Sequence, residues 1–237
     1  DKVDFFIVAT EAQKRILEQQ FQHYSDKLPK IVTIPVGSLD QLTYPKEPRK
    51  PFSMITASRL ATEKHIDWLV AATIQAHAQL PELTLDIYGK GGEEEKLRRS
   101  IEEAGAQDYI QLKGHADLSQ IYAGYELYLT ASTSEGFGLT LMEAVGSGLP
   151  LIGFDVRYGN QTFIDDGKNG YLLPVSSNHV EDQIIAAFVE KIVALFSQGR
   201  QQEMSQHSYQ VAENYLTSRV EAAWTQLLKE VRDDSAL

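Results

Sequence analysis

Cysteine is absent from this chain of 237 residues, and no apolar stretch is long enough to cross a bilayer. Without thiols, the sequence excludes a disulfide framework and cysteine-ligated metal sites. The net charge of −11 argues against a nucleic-acid partner, because phosphate contacts along a duplex need clustered Lys and Arg. We therefore expect a soluble, cytoplasmic protein that binds any phosphate through a local site.

Several motifs for metals and nucleotides are also missing. The sequence has no Asp-x-Asp pair for a metal-bound diphosphate, no G-x-x-x-x-G-K-[ST] phosphate loop, no G-x-S-x-G nucleophile turn and no His cluster with zinc spacing. We therefore expect no metal and no resident cofactor. Protein groups alone would then meet the charge of a bound phosphate.

Apolar residues make up 43% of the chain, and their order indicates two units. Three prolines fall between Tyr44 and Phe52, which favours an extended, solvated connector there. We place a boundary at this connector and predict units of residues 1–50 and 51–237. The first unit is predicted to contain a strand, a helix and an extended run, at residues 3–10, 11–22 and 30–35.

Beyond the connector, strand and helix patterns alternate. Short apolar runs predict strands at 52–57, 83–88, 109–112, 126–131, 151–154 and 171–173. Apolar residues at helical spacing predict helices at 65–80, 93–104, 117–122, 139–147, 180–196, 201–215 and 219–231. This alternation predicts an α/β fold with a doubly wound parallel sheet and right-handed crossovers.

One segment, Ser134 to Ala144, follows a predicted strand and opens a helix. Open α/β sheets bind ligands at the carboxyl ends of their strands, where the N–H groups and dipole of the next helix favour an anion. Glu135 and Glu143 could clasp opposite ends of one ligand, since a carboxylate can accept two hydroxyl hydrogen bonds. The alternative interpretation is that both glutamates simply face solvent. The surrounding Gly-Phe-Gly and the position after a strand favour the ligand-binding interpretation.

A second segment, Thr56 to His65, also follows a predicted strand. It carries Arg59 and Lys64, whose guanidinium and ammonium groups could converge on a diphosphate at the edge of the sheet. A solvated Arg and Lys are the alternative for any single pair of cations.

Two glycine turns complete the candidate site. The run Tyr88 to Glu93, with Gly89, is a weak dinucleotide fingerprint because its third glycine is missing, and we interpret it as one wall of a cleft. The run Gly114, His115 and Ala116 follows another strand, where main-chain groups could pair with a base. His115 alone is equally compatible with a structural role.

Together these segments resemble the C-terminal domain of retaining glycosyltransferases with the GT-B fold, a family that includes sucrose and glycogen synthases and bacterial surface sugar transferases. Five motifs carry the resemblance and fall in the order of the family, over nearly the whole chain. They are Ser-Arg-Leu…Glu-Lys, Ile-Tyr-Gly-Lys-Gly, Leu-Lys-Gly-His, Glu-Gly-Phe-Gly-Leu-Thr-Leu-Met-Glu-Ala and Ile-Asp-Asp-Gly-Lys-Asn-Gly-Tyr-Leu-Leu.

The segment 155–164 departs from the common proline–glutamate version of the family and resembles two Gram-positive branches. One branch transfers N-acetylglucosamine to serine-rich-repeat adhesins of the accessory secretion system, and the other modifies teichoic acids. We favour the adhesin branch.

The resemblance implies a role for each candidate residue. Arg59 and Lys64 would hold the diphosphate of a UDP-sugar, Glu135 would meet hydroxyls of the transferred sugar, and Glu143 would hold the ribose. Backbone N–H groups would contact sugar and phosphate at Gly136, Phe137, Gly138, Leu139 and Thr140. The uracil would lie beside Gly114, His115 and Ala116. The sugar would be transferred by front-face attack, in which the leaving diphosphate helps to deprotonate the acceptor.

The resemblance also implies partners. UDP-N-acetylglucosamine would be the donor and a serine-rich protein the acceptor, with a partner subunit and peripheral membrane association in the intact enzyme. The chain opens with Asp1 rather than Met, shortly before a predicted strand that would lie inside a fold, and it resembles one of two domains plus a short tail from the N-terminal domain. We therefore expect a fragment that binds donor weakly without turnover. A teichoic-acid transferase, a UDP-sugar 2-epimerase and a non-catalytic interaction module are the alternatives.

Overall fold

The computed structural model describes residues 3–22, 29–175 and 180–234. The outer ends of both predicted units, residues 1–2 and 235–237, lie outside the described residues.

The chain begins with a small parallel β-α-β unit made of β1 (Phe5–Val8), α1 (Glu11–Phe21) and β2 (Lys30–Thr33). Thr10 starts α1 because its hydroxyl accepts the N–H of Gln13 at 3.1 Å, while the Gln13 side chain accepts the N–H of Thr10 at 3.1 Å. This reciprocal capping satisfies donors that the first helical turn leaves without partners.

The second sheet has six parallel strands in the order β5-β4-β3-β6-β7-β8. Its strands are β3 (Ser53–Ala57), β4 (Thr84–Tyr88), β5 (Ile110–Gly114), β6 (Leu127–Leu129), β7 (Leu151–Phe154) and β8 (Gly170–Leu173). The helices are α2 (Ile66–His77), α3 (Glu94–Glu103), α4 (Leu139–Gly146), α5 (Gly159–Phe163), α6 (Glu181–Ser197), α7 (Gln201–Ala212) and α8 (Thr217–Asp234). The strand order reverses between β3 and β6, which is where such sheets open a ligand crevice.

Helices cover both faces of this sheet, so its central strands are apolar on both sides. On one face, α2, α3 and α6 contribute Leu69, Leu97 and Phe188 to a buried core. On the other, a second core includes Leu141 of α4 and Phe163 of α5, together with buried residues of α7 and β6. The predicted α/β class and doubly wound parallel sheet are confirmed.

Three elements differ from the sequence-based expectations. The helix predicted at 117–122 is wrong: the segment ends in a 3-10 turn at Tyr122–Gly124, and the Asp117 carboxylate accepts the N–H of Ser119 in competition with helical bonding. The helix predicted at 201–215 ends as α7 at Ala212 and continues as a 3-10 turn. The sequence reading also missed α5, which is short and is held by a bond from the Asn160 side chain to the Phe154 carbonyl at 2.8 Å.

The proline-rich connector has no regular structure, but it is not merely solvated. The Arg49 guanidinium donates to the carbonyls of Tyr125 at 2.5 Å, Ser147 at 2.7 Å and Gly148 at 3.3 Å. Burial lowers the pKa of Arg49, although the group stays charged. Arg49 thus satisfies carbonyls at the end of α4 and before β6, and it fixes the path of the chain into β3. The unit boundary near residue 50 stays a prediction.

Replacing Arg49 with Ala should lower the free energy of unfolding by about 2–4 kcal/mol, because it removes the guanidinium donors from the Tyr125 and Gly148 carbonyls and leaves the Ser147 carbonyl with only the Tyr209 hydroxyl. Arg49→Lys should lose less free energy of unfolding than Arg49→Ala but still be less stable than wild type, because an ammonium lacks the planar set of N–H donors of a guanidinium. Urea unfolding followed by circular dichroism measures the effect. Lys46→Ala, an exposed change in the same connector, is the matched control and should stay within about 0.5 kcal/mol of wild type. A loss for Arg49→Ala no larger than that of the control would contradict the assignment.

Candidate functional site

A cavity of about 430 Å³ opens at the carboxyl ends of β3 and β6. It therefore lies at the reversal point of the strand order. Its lining includes the side chains of Arg59, Lys64 and Glu135 and the loop of residues 136–140. The structure thus brings both predicted cations and the first predicted carboxylate to one cavity, together with the glycine loop.

The floor of the cavity is the start of α4. Gly138 has a φ of +91°, and a Cβ at this position would lie 2.7 Å from Leu141 Cδ1, so only glycine fits without strain. The first N–H groups of α4 have no acceptor within the helix, as at any helix start. They are free to donate to an anion, and the helix dipole favours such an anion.

The Lys64 ammonium is already paired within the cavity. Its Nζ lies 2.9 Å from Glu135 Oε2 and 3.0 Å from the Ser132 hydroxyl. The two charged side chains are only 16% and 22% exposed. The pair is therefore partly desolvated, and its attraction is stronger than that of a pair on an open surface.

Arg59 has a different environment. Its side chain is 78% exposed and contacts Glu63, four residues further along the chain, at 3.0 Å. A pair that is so open to water holds the side chain weakly. Arg59 can leave Glu63 at little cost when an anion enters the cavity.

Main-chain hydrogen bonds from the start of α5 hold the loop that carries Glu135. The Glu135 carbonyl accepts the N–H groups of Tyr158 at 2.6 Å and Gly159 at 2.9 Å. A Cβ on Gly159 would overlap the Phe137 carbonyl oxygen. The divergent segment 155–164 thus positions the acidic loop through its main chain.

Glu143 lies on α4 outside the lining of this cavity. The Tyr122 hydroxyl donates to its Oε2 at 3.3 Å. Burial raises the pKa of Glu143 and the charge of Asp117 raises it further, while the bond from Tyr122 opposes both effects. Burial therefore disfavours the charged form of this carboxylate.

The raised pKa of Glu143 predicts a pH dependence of stability. The unfolded chain releases this proton at a lower pH than the folded chain, so stability falls as pH rises from the ordinary glutamate range through the raised pKa. Glu143→Gln removes this titration while keeping an oxygen for Tyr122. We expect its free energy of unfolding to exceed that of wild type at pH 7, with the difference shrinking below about pH 4. Denaturant unfolding at several pH values measures this; a difference that is constant with pH would contradict it.

The remaining predicted residues are not among those lining the cavity. Gly89 has a φ of +134°, and its N–H donates to the Gly114 carbonyl at 2.8 Å. A Cβ on Gly89 would overlap the Ser58 carbonyl oxygen, so this turn packs main chain against main chain. His115 is exposed and Ala116 is partly buried in the core that also contains Tyr122.

Several residues that line the cavity or contact its side chains were not predicted from the sequence. Ser132 is not in the lining but accepts a hydrogen bond from Lys64; it follows β6 at the same edge as Glu135, so the rule that ligand sites follow strands could have found it. Tyr128 could not be found in this way, because a tyrosine inside an apolar strand has the pattern of a core residue. Val36 reaches the cavity from the segment after β2, which sequence alone does not place.

Two kinds of site are absent from the described residues. No group of three or more His, Cys, Asp or Glu in the part of the chain that the structure covers could hold a metal ion. Within the same residues, no helix has both the length and the apolar character needed to cross a membrane.

The fold and the cavity agree with a sequence-family match. The family model of glycosyl transferases group 1 matches residues 43–210, well over half of the sequence. The chain therefore belongs to the glycosyl transferases group 1 family, and the predicted family is confirmed.

Individual proteins of this family are highly similar to this chain. The chain is 96% identical over 237 residues to the UDP-N-acetylglucosamine–peptide N-acetylglucosaminyltransferase GtfA subunit of Streptococcus gordonii, covering 100% of this chain and 47% of that protein. It superimposes on the crystal structure of a GtfA/B complex with a TM-score of 0.94 and 96% identity, over 98% of this chain and 46% of that one. The pneumococcal O-GlcNAc transferase GtfA in complex with UDP and GlcNAc gives a TM-score of 0.90 at 64% identity, over 97% of this chain and 45% of that one. The chain thus spans about half the length of the curated relatives it matches.

Proposed function

We propose that the cavity binds a UDP-sugar, and that the full-length protein transfers N-acetylglucosamine from UDP-GlcNAc to Ser or Thr of a serine-rich protein. One observation carries the proposal: the Lys64–Glu135 pair lies over the start of α4, in a cavity between β3 and β6. The site thus offers a cation and free N–H groups for a diphosphate beside a carboxylate for sugar hydroxyls. The GtfA relative that was solved with UDP and GlcNAc supports the choice of donor.

The family resemblance implies the proposed roles. The positions of Arg59, Lys64 and residues 135–140 in the cavity support their roles, whereas Glu143 and residues 114–116 lie outside its lining. Lys64 and Arg59 would hold the diphosphate together with the N–H groups of residues 136–140. Glu135 would accept hydroxyls of the sugar. Glu143 would hold the ribose diol, and the run from Gly114 to Ala116 would lie beside the uracil.

The reaction would need no metal in this proposal. Two cations and the N–H groups of α4 would offset the charge that develops on the leaving diphosphate. The acceptor hydroxyl would attack the anomeric carbon from the face that the diphosphate leaves, and a diphosphate oxygen would take its proton. EDTA should therefore leave UDP binding unchanged.

The relatives favour one acceptor and one kind of partner. The S. gordonii relative is named a peptide N-acetylglucosaminyltransferase and a subunit, which supports a peptide hydroxyl over a teichoic acid and an assembly with a second subunit. The GtfA/B complex supports such an assembly as well. Cytoplasmic location, peripheral membrane association and weak, unproductive donor binding by this fragment belong to the same proposal.

The test uses the full-length protein with its partner subunit, UDP-[14C]GlcNAc and a Ser/Thr-rich peptide. We expect label in the peptide, with loss of label when its Ser and Thr are replaced by Ala. A sugar nucleotide that isomerises without any peptide would indicate a UDP-sugar 2-epimerase instead. Absence of both reactions, with no heat on titration with UDP, would overturn the proposal and favour an interaction module.

A further inference from the structure

Ser132 lies just after β6, in the segment that leads to Glu135, and has no part in the proposed roles. It is 1% exposed and is not among the residues that line the cavity. Its hydroxyl oxygen accepts a hydrogen bond from the Lys64 ammonium at 3.0 Å, and the hydroxyl donates to the Ser134 carbonyl at 3.1 Å. Ser132 therefore reaches the cavity through Lys64 and does not line it itself.

The two contacts fix the direction in which the Ser132 hydroxyl acts. A serine hydroxyl has one proton and two lone pairs, and a carbonyl oxygen can only accept, so the proton lies on the bond to Ser134. An ammonium carries protons and no lone pair, so Lys64 must donate to the hydroxyl oxygen. Ser132 thus presents a lone pair of fixed direction to the Lys64 ammonium.

The other partner of this ammonium, the Glu135 carboxylate at 2.9 Å, is needed elsewhere in the proposed reaction. Glu135 would accept hydroxyls of the transferred sugar, and a phosphate that reaches Lys64 competes with the carboxylate for the ammonium. The four-carbon stem of Lys64 is flexible, so the ammonium would lose its position during this exchange if nothing else held it. Ser132 can hold it, because a buried and uncharged hydroxyl is replaced neither by the sugar nor by the phosphate.

We propose that Ser132 is a positioning residue, which keeps the Lys64 ammonium at the diphosphate when the Glu135 carboxylate turns to the donor sugar. The proposal rests on the proposed function, in which Lys64 and Glu135 contact different parts of one ligand. The ammonium then exchanges one anionic partner for another without changing place, because its neutral partner stays bound throughout. Ser132 touches neither phosphate nor sugar, so it acts on the donor only through Lys64.

The test is titration of the full-length protein with UDP and UDP-GlcNAc by calorimetry. Ser132→Ala should weaken UDP-GlcNAc binding about tenfold, as expected for one lost hydrogen bond to a charged group, and UDP binding only about threefold. The losses differ because UDP brings no sugar for Glu135, so the carboxylate stays near Lys64 and partly replaces the lost partner. The ratio of the two losses does not depend on the folded fraction of the variant, which affects both ligands equally.

A second measurement removes the charge of Glu135 instead of engaging it with a sugar. In a Glu135→Gln background, Ser132→Ala should weaken UDP binding about tenfold rather than threefold, because a neutral amide holds the ammonium less strongly than a carboxylate does. If Ser132 acted instead through its bond to Ser134, on the loop that carries Glu135, its effect on UDP binding would not grow in this background.

Ser208→Ala is the matched control. Ser208 is likewise buried, and its hydroxyl donates to a main-chain carbonyl, that of Leu149 at 2.7 Å, outside the lining of the cavity. This variant should bind both ligands as wild type does. A loss of UDP-GlcNAc affinity in Ser132→Ala no larger than the loss of UDP affinity would overturn the proposal, as would a UDP loss that does not grow in the Glu135→Gln background. If wild type bound neither ligand, the proposed function itself would fail.

Discussion

Replacing Lys64 with Met should weaken UDP binding to the full-length protein by about a hundredfold or more. The change removes a cation that would contact the diphosphate, and it also leaves the Glu135 carboxylate, previously 2.9 Å from that cation, without a counter-charge. A partly desolvated charge that loses its partner is costly, and in this cavity it would also repel the incoming phosphates. Both effects act in the same direction. Calorimetric titration with UDP measures the loss.

A second substitution separates the two effects. In the Lys64→Met background, Glu135→Gln removes the unpaired charge and should recover about fivefold or more of the lost UDP affinity. Lys168→Met is the matched control, because Lys168 is exposed and pairs with Asp165 away from the cavity; it should bind UDP as wild type does. UDP affinity unchanged in Lys64→Met would remove Lys64 from the donor site. No recovery in the double variant would mean that repulsion by Glu135 plays no part.

Replacing Gly89 with Ala should lower the free energy of unfolding by about 3–5 kcal/mol. The new Cβ would overlap the Ser58 carbonyl oxygen, which belongs to main chain and cannot rotate away. The φ of +134° adds a second cost, since side-chain-bearing residues rarely adopt it. Because Ser58 precedes Arg59, the shift should also weaken UDP binding. Urea unfolding and UDP titration measure the two losses.

The same turn supplies its own control. A Cβ on Gly92 has nothing within 4 Å, and its φ lies outside the left-handed range, so Gly92→Ala should change stability by less than about 0.5 kcal/mol. If the two alanine variants were equally stable, close packing of main chain would not be the reason for glycine at position 89.

The sheet could be predicted because each of its strands is a local pattern. All five residues of β3 are buried, and an apolar run between turns is how such a strand appears in sequence. The same holds for the cavity in outline: Arg59, Lys64 and Glu135 each follow a strand, and parallel strands end at one edge. Local sequence patterns were therefore enough to predict that these three side chains lie at the same cavity.

What sequence did not predict depends on contacts between distant residues. Lys64 and Glu135 are 71 positions apart, and no local pattern indicates that the cation is neutralised before any ligand arrives. Arg49 acts on carbonyls 76 to 99 positions away, so it appeared to be part of a solvated connector. The Tyr128 hydroxyl likewise contacts the Ala57 carbonyl and Thr140 Oγ1, which lie 71 and 12 positions away in the sequence.

The ion pairs in the cavity affect how well other phosphate compounds can compete with a sugar nucleotide for it. Bare cations beside a helix start would attract inorganic phosphate and ATP, which are abundant polyanions. Here Lys64 is matched by Glu135, so an anion that reaches Lys64 must displace that carboxylate, whereas the exposed Arg59–Glu63 pair adds little to the barrier. A ligand that brings hydroxyls for Glu135 as well as phosphate for Lys64 compensates for that displacement, whereas a simple polyanion does not. We therefore expect the Lys64–Glu135 pair to disfavour binding of simple phosphates in this cavity.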